Sequence, residues 1–158
     1  MKVGVYAGSF CPVTKGHVDA IERASKLVDN LVVVIPININ KTFKISLEDR
    51  TELLKEAVKH LKNVTVCNTK LALADFCKEV NAEIIIKSIR NAVDMQYEMD
   101  MADINKSLSG IETVFLAADK KYAVVSSTFV RELAAFGKDI TPYVPAHLAE
   151  KITKYFKN

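Results

Sequence analysis

The run Leu31-Val32-Val33-Val34-Ile35, closed by Pro36, constrains the fold of this chain more than any other stretch. Successive side chains of a strand point to opposite faces, so an unbroken apolar run needs cover on both sides. That is the situation of an interior strand in a parallel sheet with helices packed above and below. Further short strand-like runs occur at Val3 to Ala7, Val64 to Cys67, Glu83 to Ile86 and Glu112 to Leu116. The segments between them follow the helical period instead. Val18, Ile21, Ala24 and Leu27 or Val28 predict a helix from Gly16 to Val28. Ser46-Leu47-Glu48-Asp49 has the form of a helix cap, ahead of a stripe made by Leu53, Leu54, Ala57, Val58 and Leu61, with Arg50 read as a surface residue. Leu73, Phe76, Cys77 and Val80 share a third helical face. Val93, Tyr97, Met101, Ile104 and Leu108 share a fourth, with Glu98 off the stripe and read as solvated. Leu148, Ile152, Tyr155 and Phe156 mark a last helix. Strands alternating with helices in this way predict an α/β fold, a doubly wound five-stranded parallel sheet in one domain spanning residues 1–158.

In such sheets ligands collect beyond the carboxyl ends of the strands. The stretch Gly8 to His17, GSFCPVTKGH, occupies that position after the first strand. Gly8 lets backbone approach a ligand, and Thr14-Lys15-Gly16-His17 brings a hydroxyl, a cation and an imidazole to one helix N-terminus, a natural anion site. His17 can donate there to a developing negative charge. Lys41 and Lys44 fall on the loop after the second strand. Lys87 and Arg90 fall at the end of the fourth, read as cations on a loop that address one polyphosphate. Ser126-Ser127-Thr128 opens a helix with Arg131 in its first turn, again suiting phosphate. Neither a GxGxxG turn after the first strand nor a GxxxxGK(S/T) loop is present, which removes the main support for dinucleotide oxidoreductase and P-loop readings.

Composition excludes little but sets the class. Of 158 residues, 49% are hydrophobic and 26% charged, the balance of a globular protein. The formal charge of +3 comes without a basic stripe interleaved with aromatics, so no nucleic-acid partner is expected. Cys11, Cys67 and Cys77 form no CxxC pair, which argues against a disulfide framework or zinc site and fits a reducing cytoplasm. No membrane partner is expected, because the start lacks signal-peptide architecture and the apolar runs are far too short to span a bilayer.

GSFCPVTKGH resembles the (H/T)xGH signature of the nucleotidyltransferase superfamily, and in particular the G(T/S)FDPxTxGH loop of the phosphopantetheine adenylyltransferase family. Lys41, Lys87-Ser88-Ile89-Arg90, Tyr97-Glu98-Met99 and the segment from Val125 to Arg131 fall where that family carries its other motifs. The resemblance implies a Rossmann-like nucleotidyltransferase fold and transfer of AMP from ATP to 4′-phosphopantetheine, giving dephospho-coenzyme A and pyrophosphate. It further implies His17, Lys41 and Arg90 as catalytic residues. Ser9, Phe10, His17, Ser88, Ile89, Arg90, Glu98 and the stretch Tyr122, Ala123, Val124, Val125, Ser126, Ser127, Thr128 become ATP contacts. Ser9, Lys41, Leu73 and Lys87 become contacts of the acceptor. Mg²⁺ accompanying ATP, no dedicated protein metal site, and a cytoplasmic homo-oligomer of hexameric order complete the implication.

Two stretches depart from the family pattern. Cys11 stands where the family usually has Asp, and Lys87-Ser88 where it usually has Arg-Gly, exchanging a two-pronged cation for a point charge. A thiol near a helix N-terminus and Lys15 is expected to be partly ionised and open to alkylation, the other reading being a small, buried and inert residue. Other readings are an adenylyl- or cytidylyltransferase acting on a different small molecule, or an idle nucleotide-binding regulator. A tRNA-charging enzyme shares the loop type but needs RNA-recognition domains for which 158 residues leave no room.

Overall fold

The computed structural model describes residues 1–157. Five parallel strands lie in the order β3-β2-β1-β4-β5: β1 (Val3–Ala7), β2 (Asn30–Pro36), β3 (Val64–Thr69), β4 (Ile84–Ile89) and β5 (Glu112–Ala117). Between and after them come α1 (Lys15–Ser25), α2 (Leu47–Val58), α3 (Leu73–Glu79), α4 (Ala92–Ser109), α5 (Ser127–Ala135) and α6 (Ala149–Phe156). This is the doubly wound parallel sheet that the alternating runs predict. Pairing is in register from Val3 opposite Asn30 to Ala7 opposite Val34, and from Gly4 opposite Ile84 to Tyr6 opposite Ile86.

Alternation along the strands builds two cores. Tyr6, Val33, Ile35 and Ile86 face one side, where Ile21 and Ala24 of α1, Leu53 and Leu54 of α2, Val130 of α5 and Ile152 and Phe156 of α6 cover them. Val5, Ala7, Val34 and Ile85 face the other, against Phe76 and Cys77 of α3. The chain leaves β1 toward β2 and β3, then returns to β1's other edge with β4, so the winding direction reverses between β1 and β4. That crevice is where an open α/β sheet admits ligands.

Several local expectations are corrected. The first helix ends at Ser25, so Val28 belongs to the turn before β2, where its Cγ1 would lie 3.0 Å from a Cβ added to Gly4. β4 runs through Lys87, Ser88 and Ile89, so Lys87 is a strand residue rather than a loop cation. Arg131 falls in the second turn of α5, not the first. Arg50 is buried at 5% exposure, not on the surface.

The largest correction concerns α4. Its apolar stripe faces outward except at the half-buried Met101, with Val93 80% and Tyr97 64% exposed and Ile104 and Leu108 more than half exposed. The face turned toward the sheet and α3 is more polar, carrying Asp94, Glu98 and Asn105. The helical period shows which residues share a face; it does not say which face is inside.

α6 is tied to the first core by Ile152 and Phe156, both almost fully buried. Ile152→Ala should cost about 2–5 kcal/mol, the range for deleting a buried aliphatic side chain. A denaturant midpoint near that of the unaltered protein would show that α6 docks on the core only loosely.

Candidate active site

The spacing of Thr14-Lys15-Gly16-His17 is the spacing of a capping box. Thr14 is the N-cap of α1: its Oγ1 accepts from the His17 N–H at 3.2 Å, and His17 Nδ1 accepts from the Thr14 N–H at 3.0 Å. A backbone N–H can only donate, so Nδ1 is the acceptor nitrogen and the neutral ring carries its proton on Nε2. Phe10 packs edge-on against the imidazole with ring centroids 4.9 Å apart. Burial, reinforced by the Arg90 and Lys87 cations, pushes the imidazole from 6.5 down to about 4. His17 is therefore a neutral, oriented donor at physiological pH.

Three adjoining cavities share His17 as a wall. One of about 270 Å³ is lined by Tyr6, Thr14, Gly16, Asp19, Ser88, Arg90, Tyr122 and the start of α5 from Val125 to Thr128. A second, about 350 Å³, is bounded by Gly8, Ser9, Phe10, Lys41, Lys87, Tyr97 and Glu98. The third, about 770 Å³, is cationic along Lys41, Lys44 and Arg131. Two helix N-termini, those of α1 and α5, open onto the first cavity, adding their partial positive charge where an anion would lie.

The hydroxyls at the start of α5 are already engaged. Ser126 Oγ accepts from the Phe129 N–H as the N-cap, Ser127 Oγ donates to the Pro12 carbonyl at 2.7 Å, and Thr128 Oγ1 accepts from Arg131 at 3.1 Å. The first-turn N–H groups of Ser127 and Thr128 lack an intrahelical acceptor, as at any helix start, and these remain for a ligand.

The main-chain carbonyls at the end of β1 and along the loop after it take four side-chain donors from three elements. Lys87 Nζ donates to Ala7, Arg50 to Ser9, Arg131 to Cys11 and Ser127 to Pro12. Within it Phe10 holds a left-handed φ of 47°, and a Cβ on Gly8 would meet the Phe10 ring at 3.0 Å. Gly8 is thus required by the ring that braces His17.

The inward polar face of α4 holds the two cations of β4's end. Asp94 takes the Arg90 guanidinium through both oxygens at 2.9 and 3.2 Å, and Glu98 pairs with Lys87 at 3.3 Å. Glu98 is thus a half-buried ion-pair partner and not a solvated residue. Tyr6 rises above the ordinary phenol range through burial and the Glu98 carboxylate, and so stays protonated between two of the cavities.

Most residues singled out from the sequence come together here, but some do not. Leu73 lines none of the three cavities and packs on the second core. Ile89, Ala123 and Val124 wall none of them either, and the Val124 side chain is exposed. Cys11 borders the third cavity but is only 2% exposed and packs in the first core, so of the two readings of its thiol the buried one holds. Tyr6, Asp94 and Arg50 were not foreseen. Asp94 had one signal, its i+4 spacing from Arg90; Tyr6 and Arg50 had none.

A cytidylyltransferase-like family model matches residues 5–133. Phosphopantetheine adenylyltransferases from Caldanaerobacter subterraneus and Clostridium botulinum are each 42% identical over 158 residues, covering 99% of both chains. The chain belongs to the phosphopantetheine adenylyltransferase family. A further member of that family, from Thermobifida fusca, is 40% identical over 96% of this chain and 93% of its own. The fold is also that of a crystal structure described as a nicotinate-nucleotide adenylyltransferase from Vibrio parahaemolyticus, with TM-score 0.70, 24% identity, and coverage of 100% and 98%.

A lowered imidazole pKa has a definite sign. Between about pH 4 and 6.5 the unfolded chain binds a proton that the folded ring refuses, so His17 makes stability rise with pH across that window. ¹⁵N NMR of the imidazole should show the Nε2–H tautomer and a midpoint near 4, and His17→Gln should flatten the slope of Tm against pH. A midpoint near 6.5 would contradict the buried, cation-flanked setting. Thiol labelling of the native protein should reach the half-buried Cys67 before Cys11.

Proposed function

We propose that the chain transfers AMP from ATP to 4′-phosphopantetheine, releasing pyrophosphate and forming dephospho-coenzyme A. The observation that carries this reading is the position of His17 as the shared wall of three cavities. The cavity with two helix N-termini, Arg90 and the Ser126 to Thr128 turn suits the triphosphate. The cavity bounded by Ser9, Lys41 and Lys87 suits a phosphorylated acceptor.

An oxygen of the acceptor phosphate forms a bond to the α-phosphorus of ATP. The bond from that phosphorus to the oxygen bridging toward the β-phosphorus breaks, and pyrophosphate carries the electron pair away. No protein nucleophile is required; alignment and charge stabilisation are. The His17 Nε2–H donates to an α-phosphate oxygen as negative charge builds, while Lys41 and Arg90 neutralise neighbouring oxygens. Departing pyrophosphate is left beside Arg90 and the start of α5, where the triphosphate is held. Arg90 reaches its ligand by giving up part of its fork to Asp94, which otherwise keeps it pre-aimed.

Mg²⁺ supplies charge neutralisation of the leaving group when bound with ATP. The donor set fits a cation carried by phosphates and water with few protein ligands. Among the described residues no three His, Cys, Asp or Glu side chains gather to hold a metal, and the carboxylates lining the triphosphate cavity are Asp19 and Asp119, which would meet the ion's water shell.

We also place the enzyme in the cytoplasm as a homo-oligomer of hexameric order. No helix among the described residues is long and apolar enough to cross a membrane. The outward apolar stripe of α4 supports self-association, since contiguous exposed apolar surface marks interaction sites.

With MgATP and a panel of phosphorylated acceptors, pyrophosphate release should be fastest with 4′-phosphopantetheine. Preference for nicotinamide or nicotinate mononucleotide would overturn the acceptor assignment. His17→Ala should lower kcat by about a hundredfold or more, the scale of losing one preorganised donor, with ATP binding retained. Sedimentation should give a species near six times the 17.6 kDa chain, and Ile104→Lys should shift it to smaller forms. A monomer at micromolar concentration would remove the oligomer.

A further inference from the structure

Arg50 is charged and almost wholly buried, with no carboxylate in salt-bridge range among the described residues. Burying a charge is costly unless its hydrogen bonds are made, so its donors show what it is for. Nε donates to the Ile45 carbonyl at 3.1 Å, a guanidinium NH donates to the Ser9 carbonyl at 2.9 Å, and the guanidinium lies 4.1 Å from the Phe43 ring centroid. Ser9 belongs to the loop after β1. Phe43 and Ile45 belong to the strap between β2 and α2 that carries Lys41. Arg50 itself walls none of the three cavities.

We infer that Arg50 is a positioning residue, clamping the Ser9 loop and the Lys41 strap together so that the acceptor site keeps its shape. The strap has little else to hold it there. Asn38 to Lys44 is largely exposed, and its recorded bonds are local ones, Lys41 N–H to the Asn38 carbonyl and Asn40 N–H to Asn38 Oδ1. Phe43 and Ile45 are the points where it returns to the core, and Arg50 grips both. A planar fork makes the two carbonyl bonds and the ring stack at once, which an ammonium cannot. The choice of Arg over an apolar side chain at this depth follows from that geometry. The Ser126 turn and Arg90 have holds of their own, the α5 cap and Asp94, so the triphosphate cavity depends less on this clamp than the acceptor cavity does.

For its choice of substrates the proposal rests on the adenylyl-transfer reading above. In Arg50→Lys, which keeps the charge and loses the fork, KM for 4′-phosphopantetheine should rise at least tenfold while KM for ATP changes less than threefold. Simple loss of folded protein would lower the rate for both substrates and leave each KM in place. That result, or an Arg50→Lys enzyme indistinguishable from the parent, overturns the clamp. If Arg50→Lys does not fold, Phe43→Leu tests the same coupling by removing the ring while Arg50 remains; a rise in acceptor KM of at least threefold is expected, and an unchanged one counts against the proposal. Hydrogen exchange on the unliganded protein gives a readout that needs no substrate. The hydrogen-bonded amides beside the two clamped points, Gly8 on the Val34 carbonyl and Lys41 on the Asn38 carbonyl, should exchange at least tenfold faster in the variant, whereas acceleration confined to α2 would overturn the inference. If the parent enzyme itself fails to use 4′-phosphopantetheine, the functional reading falls, and the exchange result still decides the clamp.

Discussion

Everything in the site depends on how the loop after β1 satisfies its own backbone. A buried main-chain carbonyl without a partner costs about 1–3 kcal/mol, and this loop is neither strand nor helix from Gly8 to Thr14. Side chains from β4, α2 and α5 supply the missing donors, at Ala7, Ser9, Cys11 and Pro12. Because those donors come from elements otherwise separate in sequence, the loop is rigid only when the whole sheet and its helices are assembled. The active-site loop is therefore a product of the fold rather than an ornament on it.

The same bonds explain the electrostatics. Lys87 spends one contact on the Ala7 carbonyl and another on Glu98, so its charge is fixed in direction. Arg90 is fixed by Asp94. Burial, reinforced by these two fixed cations, keeps the imidazole neutral, and a neutral imidazole can donate from Nε2 without carrying its own charge into the site. Preorganisation here means that little has to reorient when negative charge develops. The inward polar stripe of α4, unusual for a helix against a sheet, has its reason in holding these cations, and its apolar stripe is consequently left facing outward.

The Lys87-Ser88 departure acquires a physical meaning in this setting. A lysine at position 87 reaches the Ala7 carbonyl and Glu98 as a point charge, and Ser88 fits an ordinary strand conformation, so no glycine is needed in β4. Cys11 replaces a carboxylate with a small apolar group that packs into the core while its carbonyl still binds Arg131. Both changes preserve the main-chain grip, which uses the carbonyl of residue 11 and not its side chain.

The sequence alone determined the parallel sheet, because unbroken β-branched runs such as Leu31 to Ile35 admit no other cover. It also placed Thr14 and His17 at one helix N-terminus, while the tautomer of His17 came from the reciprocal cap that the folded turn forms. Local period and local capping are short-range properties, legible along the chain. The burial of Arg50, the pairing of Lys87 with Glu98 and the outward turn of α4's apolar stripe were not legible, and the expectations for each were wrong or absent, while the burial of Cys11 was one of two readings left open. Each depends on partners remote in sequence: Arg50 meets Ser9, and Lys87 meets Ala7. A hydrophobic period fixes which residues stand together, but the side of a helix that turns inward is set by which neighbours have bonds to offer, and only the tertiary structure brings those neighbours into reach.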